Sequence, residues 1–475
     1  MSHDTHSFPP APWLAFLTRY QALLWCLTAL LVVFCHVATF TRSPVLWQDE
    51  AQITDQFRVL HDINTPWALQ INPDQTPRVV ILPWLQLIQK LILGPLGVTV
   101  ESVRTISLLG ALLCTFACFA VLRTWNWSTW PAAWLALLFI SDPLFIQSYR
   151  GGRVDMLAVA PVLLALACWM RAWQIPSNCL PWAVLAGFLL PIGVMVWTTA
   201  LIITLGLLVV VLLLLRPNSM SHLLRMLAGA IVGAIFSLIV TLALVLVDFS
   251  WDQFLQFLHE LNKYREAQTE RRWSLALSLF TTPATGVLLF ILTLPWMKTK
   301  AHLVWILGLL VASVVLIVLP PFYIFRLIYL VPLCYLAVFW TVQSKPRLLA
   351  ICVASMVILN LGYGVMGRTV KTVMRWQQTD PQRVGQLLDE HIPAGSVVMG
   401  GFAYYFHGLT RGWEMYETPL PTWRSDLKLK NNVYWLAWYD PLPEFLGKRW
   451  KLIHEFKNDP PCDTLANYKL YQLSE

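Results

Sequence analysis

Apolar runs long enough to cross a bilayer recur along the whole chain, beginning with residues 20–40. A helix needs roughly 20 apolar residues to cross a hydrocarbon core of about 30 Å. The 475 residues are 57% hydrophobic and 13% charged, whereas soluble domains carry about 25% charged residues. Because lipid offers no hydrogen bonds to an exposed backbone, the chain is predicted to be a mainly α, polytopic membrane protein with about 11 transmembrane helices. The predicted spans lie near residues 20–40, 104–122, 130–148, 154–172, 181–197, 199–215, 225–248, 281–297, 301–319, 324–341 and 347–366.

The stretch Val79–Gly97 is apolar but is predicted to lie along the membrane surface. Gln86, Gln89 and Lys90 fall at i, i+3 and i+4 and share one helical face, a pattern typical of interfacial helices. If this segment does not span, the short loops rich in Lys and Arg fall on one side, which the positive-inside rule makes cytoplasmic. If it spans, those loops move to the outer side relative to the first loop. The first run lacks an A-x-A cleavage pattern and is predicted to be an uncleaved anchor.

Four polar segments then share the outer face of the cytoplasmic (inner) membrane: residues 41–103, the turn 150–155, the loop 249–280 and the tail from 368. The tail alternates helix-like "DPQRVGQLLDEHIP" with strand-like "SVVMGG", "NNVYWLAWY" and "YKLYQL", which predicts a small α/β domain. The expected organisation is a transmembrane domain over residues 1–367 and a small extracytoplasmic domain over residues 368–475. The nine cysteines show no C-x-x-C pair and no Cys/His metal spacing. The net charge of +8 comes mostly from short loops between apolar runs, so nucleic acid is not an expected partner.

Acidic and basic side chains gather on these outer segments. "SPVLWQDEAQ" places Asp49 and Glu50 just beyond the first span, where unpaired carboxylates are costly to desolvate. "QSYRGGRVDML" crowds Arg150, Arg153 and Asp155 into a short turn with two glycines. Each group could also be merely solvated at the membrane surface.

Two later segments add further basic side chains. In the loop 251–273, apolar residues at helical spacing are surrounded by bases, which fits either an interfacial helix with snorkelling bases or a basic rim for an anionic head group. Arg326 lies near the outer start of a span with Tyr329 one turn further in, which indicates either a functional site or snorkelling. The bases of the loop are His259, Lys263, Arg265, Arg271 and Arg272.

This convergence suits transfer from a lipid-linked phosphate donor, because arginines stabilise the leaving phosphate while a carboxylate takes the acceptor's proton. The segments "WQDEAQ", "QSYRGGRVDML" and "FRLIYLVPLCYLAV" also resemble, in order and layout, motifs of the GT-C membrane glycosyltransferases, the superfamily of the lipid A aminoarabinose transferases and protein O-mannosyltransferases. Those enzymes have an acidic pair after the first span, interface helices in the first outer loop, a later "SR…LD" turn and a late "RYLLPLLP"-like motif. They commonly carry His-Pro-Pro or Lys-Pro before the interface helix, where this chain reads "NPDQTPRVV".

The resemblance implies an inverting glycosyltransferase that moves a sugar from a polyprenyl-phosphate donor to a lipid, glycan or protein acceptor. It implies Asp49 as the general base or acceptor-orienting acid, with Glu50 and Asp155 shaping the site or holding an optional divalent ion. The donor phosphate would be held by Arg153, Arg326, Arg271 and Arg272, and the remaining candidate substrate-binding residues are Arg150, Lys263, Arg265 and Tyr329. Asp74 and His259 are candidate metal ligands that no spacing supports. Membrane lipids are further expected partners.

Two other functions stay open from the residues alone. A transporter or flippase of a lipid-linked saccharide predicts charges inside the spans near the midplane and broken helices. A non-catalytic membrane scaffold would leave Asp49 replaceable.

Overall fold

The computed structural model describes residues 12–43, 48–61, 83–214, 219–245, 284–318, 324–400, 404–416, 432–437, 450–456 and 468–473. A few helical residues in these ranges, Asp49 among them, have a described backbone but no described side chain.

Apolar helices form most of the described chain. Seven of the described helices are long and apolar enough to cross a membrane, and the bent pair Thr129–Ile140 and Pro143–Arg150 makes an eighth. Three shorter apolar segments, Thr198–Leu214, Thr285–Trp296 and Arg326–Val342, coincide with further predicted spans. Each predicted span falls on an apolar helix, which confirms the predicted polytopic helical class.

The helices of this transmembrane part follow one another in chain order. They are α1 (Pro12–Ala38), α2 (Gln48–His61), α3 (Pro83–Leu96), α4 (Val100–Thr124), α5 (Thr129–Ile140), α6 (Pro143–Arg150), α7 (Asp155–Gln174), α8 (Cys179–Val196), α9 (Leu201–Leu214), α10 (Met220–Val245), α11 (Thr285–Thr293), α12 (Lys300–Val318), α13 (Val331–Val342), α14 (Pro346–Met356) and α15 (Arg368–Met374). Short 3₁₀ helices lie at Pro176–Asn178, Thr198–Ala200, Leu294–Trp296 and Ile324–Tyr329, and a π-helix joins α14 to α15 over Val357–Gly367.

Helix α7 is enclosed by its neighbours, whereas α1 and α10 expose many of their apolar side chains. A Cβ on Gly110 of α4 would lie 2.7 Å from the backbone nitrogen of Leu157 of α7. A Cβ on Gly187 of α8 would likewise overlap the carbonyl of Ala230 of α10. Small residues at such contacts let membrane helices pack backbone against backbone. This packing fixes the position of α7, whose first residue belongs to the candidate site.

The bend of 65° between α5 and α6 is fixed by a buried polar network. Asp142 caps the start of α6, where Pro143 supplies the preferred first helical residue. The Asp142 carboxylate also accepts from the Tyr335 hydroxyl at 2.8 Å and from the Gly286 backbone N–H at 3.2 Å. The Asn360 amide in turn donates to the Tyr335 oxygen at 3.0 Å. The network therefore ties α6 to α11, α13 and the π-helix.

Helix α3 occupies the stretch predicted to lie along the interface. Its 14 residues correspond to about 21 Å, which is too short to cross a bilayer. Gln89 is buried and its amide donates to the Ile53 carbonyl of α2 at 3.4 Å, while Lys90 is exposed. The predicted polar face is therefore exposed at Lys90 but covered by α2 at Gln89. Trp84 donates to the Thr241 hydroxyl of α10 at 2.9 Å, so α3 packs between α2 and the spans.

The tail forms the predicted small α/β unit, called the C-terminal domain below. It contains the helices α16 (Pro381–Asp389) and α17 (Tyr405–Thr410) and the strands β1 (Val397–Met399), β2 (Glu414–Tyr416), β3 (Val433–Ala437), β4 (Trp450–Glu455) and β5 (Lys469–Leu473). The sheet order is β2-β1-β3-β5-β4; β1 is parallel to both of its neighbours, and β5 is antiparallel to both of its own. The predicted helix and three predicted strands are present, and β2 and β4 complete the sheet. Because helical structure continues over Pro346–Met374, the domain boundary at residue 367 stays a prediction.

Candidate functional site

Glu50 lies in the first turn of α2 and is held by Arg104 of α4. Arg104 donates through Nε to Oε1 at 2.6 Å and through Nη2 to Oε2 at 3.1 Å. Both side chains are at most 1% exposed. Arg104 also donates to the Phe40 carbonyl at 2.5 Å, just past the end of α1. A two-point pair of this kind, shielded from water, fixes the start of α2 against the transmembrane part.

Asp155, the first residue of α7, accepts hydrogen bonds from three side chains. Arg153 and the Ser148 hydroxyl each reach Oδ2 at 2.7 Å, and the Tyr329 hydroxyl reaches Oδ1 at 2.7 Å. The carboxylate is 1% exposed. Arg326, half-buried, lies in the same short 3₁₀ helix as Tyr329. The structure thus brings together the two motifs that the sequence placed some 170 residues apart.

Gly152 joins this turn to the first loop. Its φ of +64° lies in the left-handed region that favours glycine. A Cβ at this position would overlap Cγ of Glu50 and lie 2.7 Å from its Oε1. The turn before α7 therefore rests directly on the acidic start of α2. This close approach brings the segments "WQDEAQ" and "QSYRGGRVDML" together.

Arg150 is the last residue of α6, and its guanidinium donates hydrogen bonds to the chain at the C-terminal end of α1. It donates to the Ser43 carbonyl at 2.7 and 2.9 Å and to the Thr39 carbonyl at 2.6 Å, and its Nη1 lies 3.0 Å from Nδ1 of His36. These carbonyls lie at and just beyond the end of a helix, where a cation is favourable. The described contacts give Arg150 a capping role, and substrate binding by Arg150 stays a prediction.

Several predicted site residues lie outside the described part of the chain. They are the side chain of Asp49 and the residues Asp74, His259, Lys263, Arg265, Arg271 and Arg272. The backbone of Asp49 is described in the first turn of α2, one residue before Glu50. Among the described residues no group of three His, Cys, Asp or Glu side chains could hold a metal ion. Metal binding by Asp74 and His259 stays a prediction.

Two parts of this arrangement are not among the residues predicted from the sequence. Arg104 lies within the first turns of a span in "ESVRTIS", where a cation near lipid is itself a signal of function or pairing. The second is a buried contact of Asp55 and Arg58 of α2 with Tyr405 of the C-terminal domain. Tyr405 donates to Asp55 Oδ1 at 2.8 Å and accepts from Arg58 Nε at 3.2 Å. No local pattern indicates that pairing, because it joins residues 350 apart.

Electrostatics keep Tyr405 and Arg58 protonated at this contact. Burial and the adjacent Asp55 carboxylate raise the pKa of Tyr405 well above its ordinary value, so the phenol stays protonated and can donate. Burial alone lowers the pKa of Arg58, but the Asp55 carboxylate outweighs it, and the net direction is upward. The Tyr405 hydroxyl therefore keeps its proton to donate, and the Arg58 guanidinium keeps its charge.

Comparison with known proteins gives structural but no sequence matches. No protein family model matches the chain, and no curated protein matches it in sequence. The structure of ArnT from Cupriavidus metallidurans bound to undecaprenyl phosphate matches with a TM-score of 0.61 and 12% identity, over 95% of this chain and 97% of that one. The apo state of that ArnT matches with a TM-score of 0.58 and 11% identity, over 96% of this chain and 98% of that one. At such identities the likeness concerns the fold. The chain is a multi-pass membrane protein whose fold is that of these ArnT structures.

Proposed function

We propose that this protein is an inverting glycosyltransferase that uses a polyprenyl-phosphate sugar and transfers the sugar at the outer face of the cytoplasmic membrane. One observation carries the proposal: Gly152 rests on Glu50, so the acidic first turn of α2 adjoins the Arg153–Asp155 turn on a GT-C fold. The ArnT structure that holds undecaprenyl phosphate supports a polyprenyl-phosphate donor. The acceptor would be a lipid, a glycan or a protein.

The described contacts favour Asp49 as the general base. Arg104 engages both oxygens of Glu50, and three donors engage Asp155, so these two acids suit positioning better than proton transfer. Asp49 is the remaining acid in the first turn of α2. In the proposed reaction the acceptor hydroxyl attacks the anomeric carbon while its proton passes to Asp49. The bond from that carbon to the phosphate oxygen breaks, and the polyprenyl phosphate leaves as an anion stabilised by arginines.

Arg153 and Arg326 are the described cations best placed to act on the donor phosphate. Arg153 pairs with Asp155, and its side chain is 13% exposed, so part of the guanidinium is accessible from outside the packed helices. Arg326 is half-buried and precedes Tyr329, the donor to Asp155, by three residues in the same 3₁₀ helix. Lys263, Arg265, Arg271 and Arg272 are proposed to complete the phosphate-binding surface.

The test is transfer of radiolabelled sugar from polyprenyl-phosphate donors by the purified full-length protein and its Asp49→Asn variant. The variant keeps the size and much of the hydrogen bonding of Asp49 but cannot accept the proton. Losing a general base typically lowers rates by about 10²–10⁴-fold, so turnover should collapse while donor binding persists. Glu101→Gln is a matched control, because Glu101 is an exposed acid in the first turn of α4. Near-normal transfer by Asp49→Asn removes the base assignment.

The alternative function is transport or flipping of a lipid-linked saccharide. The observation that favours it is the buried Asp142 at the break between α5 and α6, since transporters bind substrates at broken helices and use buried acids as ion or proton sites. Absence of transfer by the wild-type protein from every such donor, together with movement of the donor across vesicle membranes, would favour this alternative.

A further inference from the structure

The C-terminal domain contacts the first loop on both sides of the acidic pair. Before the pair, Arg42 donates to the Trp376 carbonyl at 2.6 Å and to Asp380 at 3.0 Å. Its guanidinium carbon also lies 4.1 Å from the centroid of the Trp376 ring, within the range of a cation–π contact. After the pair, Asp55 and Arg58 of α2 meet Tyr405 of α17. The segment that carries Asp49 and Glu50 is thus bracketed by contacts to the C-terminal domain or to the turn leading into it.

The contact at Tyr405 is buried away from solvent. Tyr405, Asp55 and Arg58 are each at most 5% exposed. Arg58 donates to Asp55 Oδ1 through Nε at 3.0 Å and through Nη2 at 2.8 Å, and Tyr405 joins both groups through one hydroxyl. Hydrogen bonds to charged groups are stronger than neutral ones and are not weakened by water here. The hydroxyl therefore holds α17 to α2 through two specific hydrogen bonds.

Besides the hydrogen bond from Gln89 of α3 to the Ile53 carbonyl, two ion-paired acids of α2 make contacts on different sides of the helix. Glu50 ties its first turn to Arg104 in the transmembrane part. Asp55 follows five residues later, about 7.5 Å along the axis and about 140° round the helix, and is tied to the C-terminal domain. The contact with Tyr405 adds a fixed point on the side of α2 that faces the C-terminal domain, and this point restrains the rotation of the helix. The rotation of α2 decides where the side chain next to Glu50, Asp49, can reach.

We propose that the C-terminal domain is a positioning element of the transfer site, acting through Tyr405 on α2 and so on Asp49. This inference rests on the proposed function, because it needs Asp49 to act in the reaction. Tyr405 does not touch the reacting groups. It holds the helix that carries the base, so that the α/β domain and the membrane helices form one site.

Tyr405→Phe tests the contribution of the Tyr405 hydroxyl alone. The ring still fills its buried position, and the Asp55–Arg58 ion pair remains within α2, so the helix itself is preserved. Only the Tyr405 hydroxyl and its hydrogen bonds to Asp55 and Arg58 are lost. Tyr404→Phe is the matched control, because the neighbouring Tyr404 is equally buried but packs edge-on against Tyr468 of its own domain. Asp55→Asn reaches the same contact from the α2 side and serves if Tyr405→Phe fails to fold.

The first measurement is amide hydrogen exchange over residues 50–58 in the full-length protein, and it does not depend on any activity. Tyr405→Phe should raise exchange in this peptide at least about tenfold over Tyr404→Phe, because the fixed point at Tyr405 is released. Equal exchange in the two variants would show that Tyr405 does not hold α2, and the proposal would fall whatever the protein catalyses.

The second measurement is a double-mutant cycle on the transfer rate. A misplacement of about 1 Å can lower a rate by about 10²-fold, so Tyr405→Phe should lower kcat by about 10–100-fold with little change in the donor KM. In the Asp49→Asn background the same change should alter the residual rate by less than about twofold, because no base remains to be positioned. Equal fold losses in both backgrounds would indicate a loss of folded protein and refute the positioning role. Absence of transfer by the wild type would instead refute the proposed function and leave the exchange result standing.

Discussion

Replacing Gly152 by Ala is expected to separate Glu50 from Arg104. A residue with a side chain at φ +64° costs roughly 1–2 kcal/mol in backbone strain. The added Cβ would also overlap Cγ of Glu50. Glu50 cannot step aside while Arg104 holds both of its oxygens, and breaking a buried ion pair costs about 3–5 kcal/mol. Together these costs lower the free energy of unfolding by roughly 4–7 kcal/mol, a large part of the stability of most proteins.

The assay is the thermal midpoint of the purified protein in detergent, followed by size-exclusion chromatography. Gly412→Ala is the control, because Gly412 has φ +67° and nothing within 4 Å of an added Cβ, so it carries the backbone strain alone. Glu50→Ala removes the Cγ atom with which the Cβ added by Gly152→Ala would overlap. The double variant should therefore lower the thermal midpoint by less than the sum of the two single variants. If Gly152→Ala and Gly412→Ala fall by the same amount, or if the double variant is additive, the contact between the turn and α2 does not have the importance argued for it.

Two further variants separate structural from substrate-binding roles. Arg150→Lys should lower the thermal midpoint but leave the affinity for a polyprenyl phosphate within about twofold, because a lysine cannot cap the carbonyls of Thr39 and Ser43 with a planar fork. Weaker donor binding at an unchanged midpoint would instead support the substrate-binding prediction. Tyr329→Phe removes one of three donors to Asp155 and should cost about 1.5–3 kcal/mol of stability, with a lower transfer rate. Stability equal to wild type would show that the hydroxyl does not hold the carboxylate.

The membrane architecture could be predicted because its signals are local. An apolar run must bury or face lipid, and its length decides whether it can span, so each helix is encoded in its own residues. The same holds for strand β3, whose five residues are all apolar. Helix α3 shows the limit of local pattern. Its helical nature was predicted, but Gln89 turned inward because α2 offers a carbonyl that the sequence of α3 does not reveal.

The internal geometry of the site could not be predicted, because it depends on pairs that are distant in sequence. Glu50 and Arg104 are 54 residues apart, and Asp55 and Tyr405 are 350 apart. A single sequence gives the charge of each residue but not its partner. Arg150 illustrates the consequence. Its position beside Arg153 and Asp155 predicts substrate binding, whereas its guanidinium donates hydrogen bonds to the carbonyls of Thr39 and Ser43, which follow α1. Charges near a membrane boundary therefore identify a site more reliably than they identify each residue's role.

The buried Asp142 is the feature that most favours a transporter, and its partners argue for a structural role instead. A transported ion or proton needs ligands that can release it. Asp142 is held by backbone N–H groups of Leu144 and Gly286, which are fixed by the helices they begin, and by the Tyr335 hydroxyl. These donors satisfy the carboxylate by capping α6 and holding the bend of 65°. That bend directs Ser148 and the turn with Arg153 toward Asp155 at the end of the helices, where the proposed transfer would occur. The broken helix is thus explained by the site that it builds.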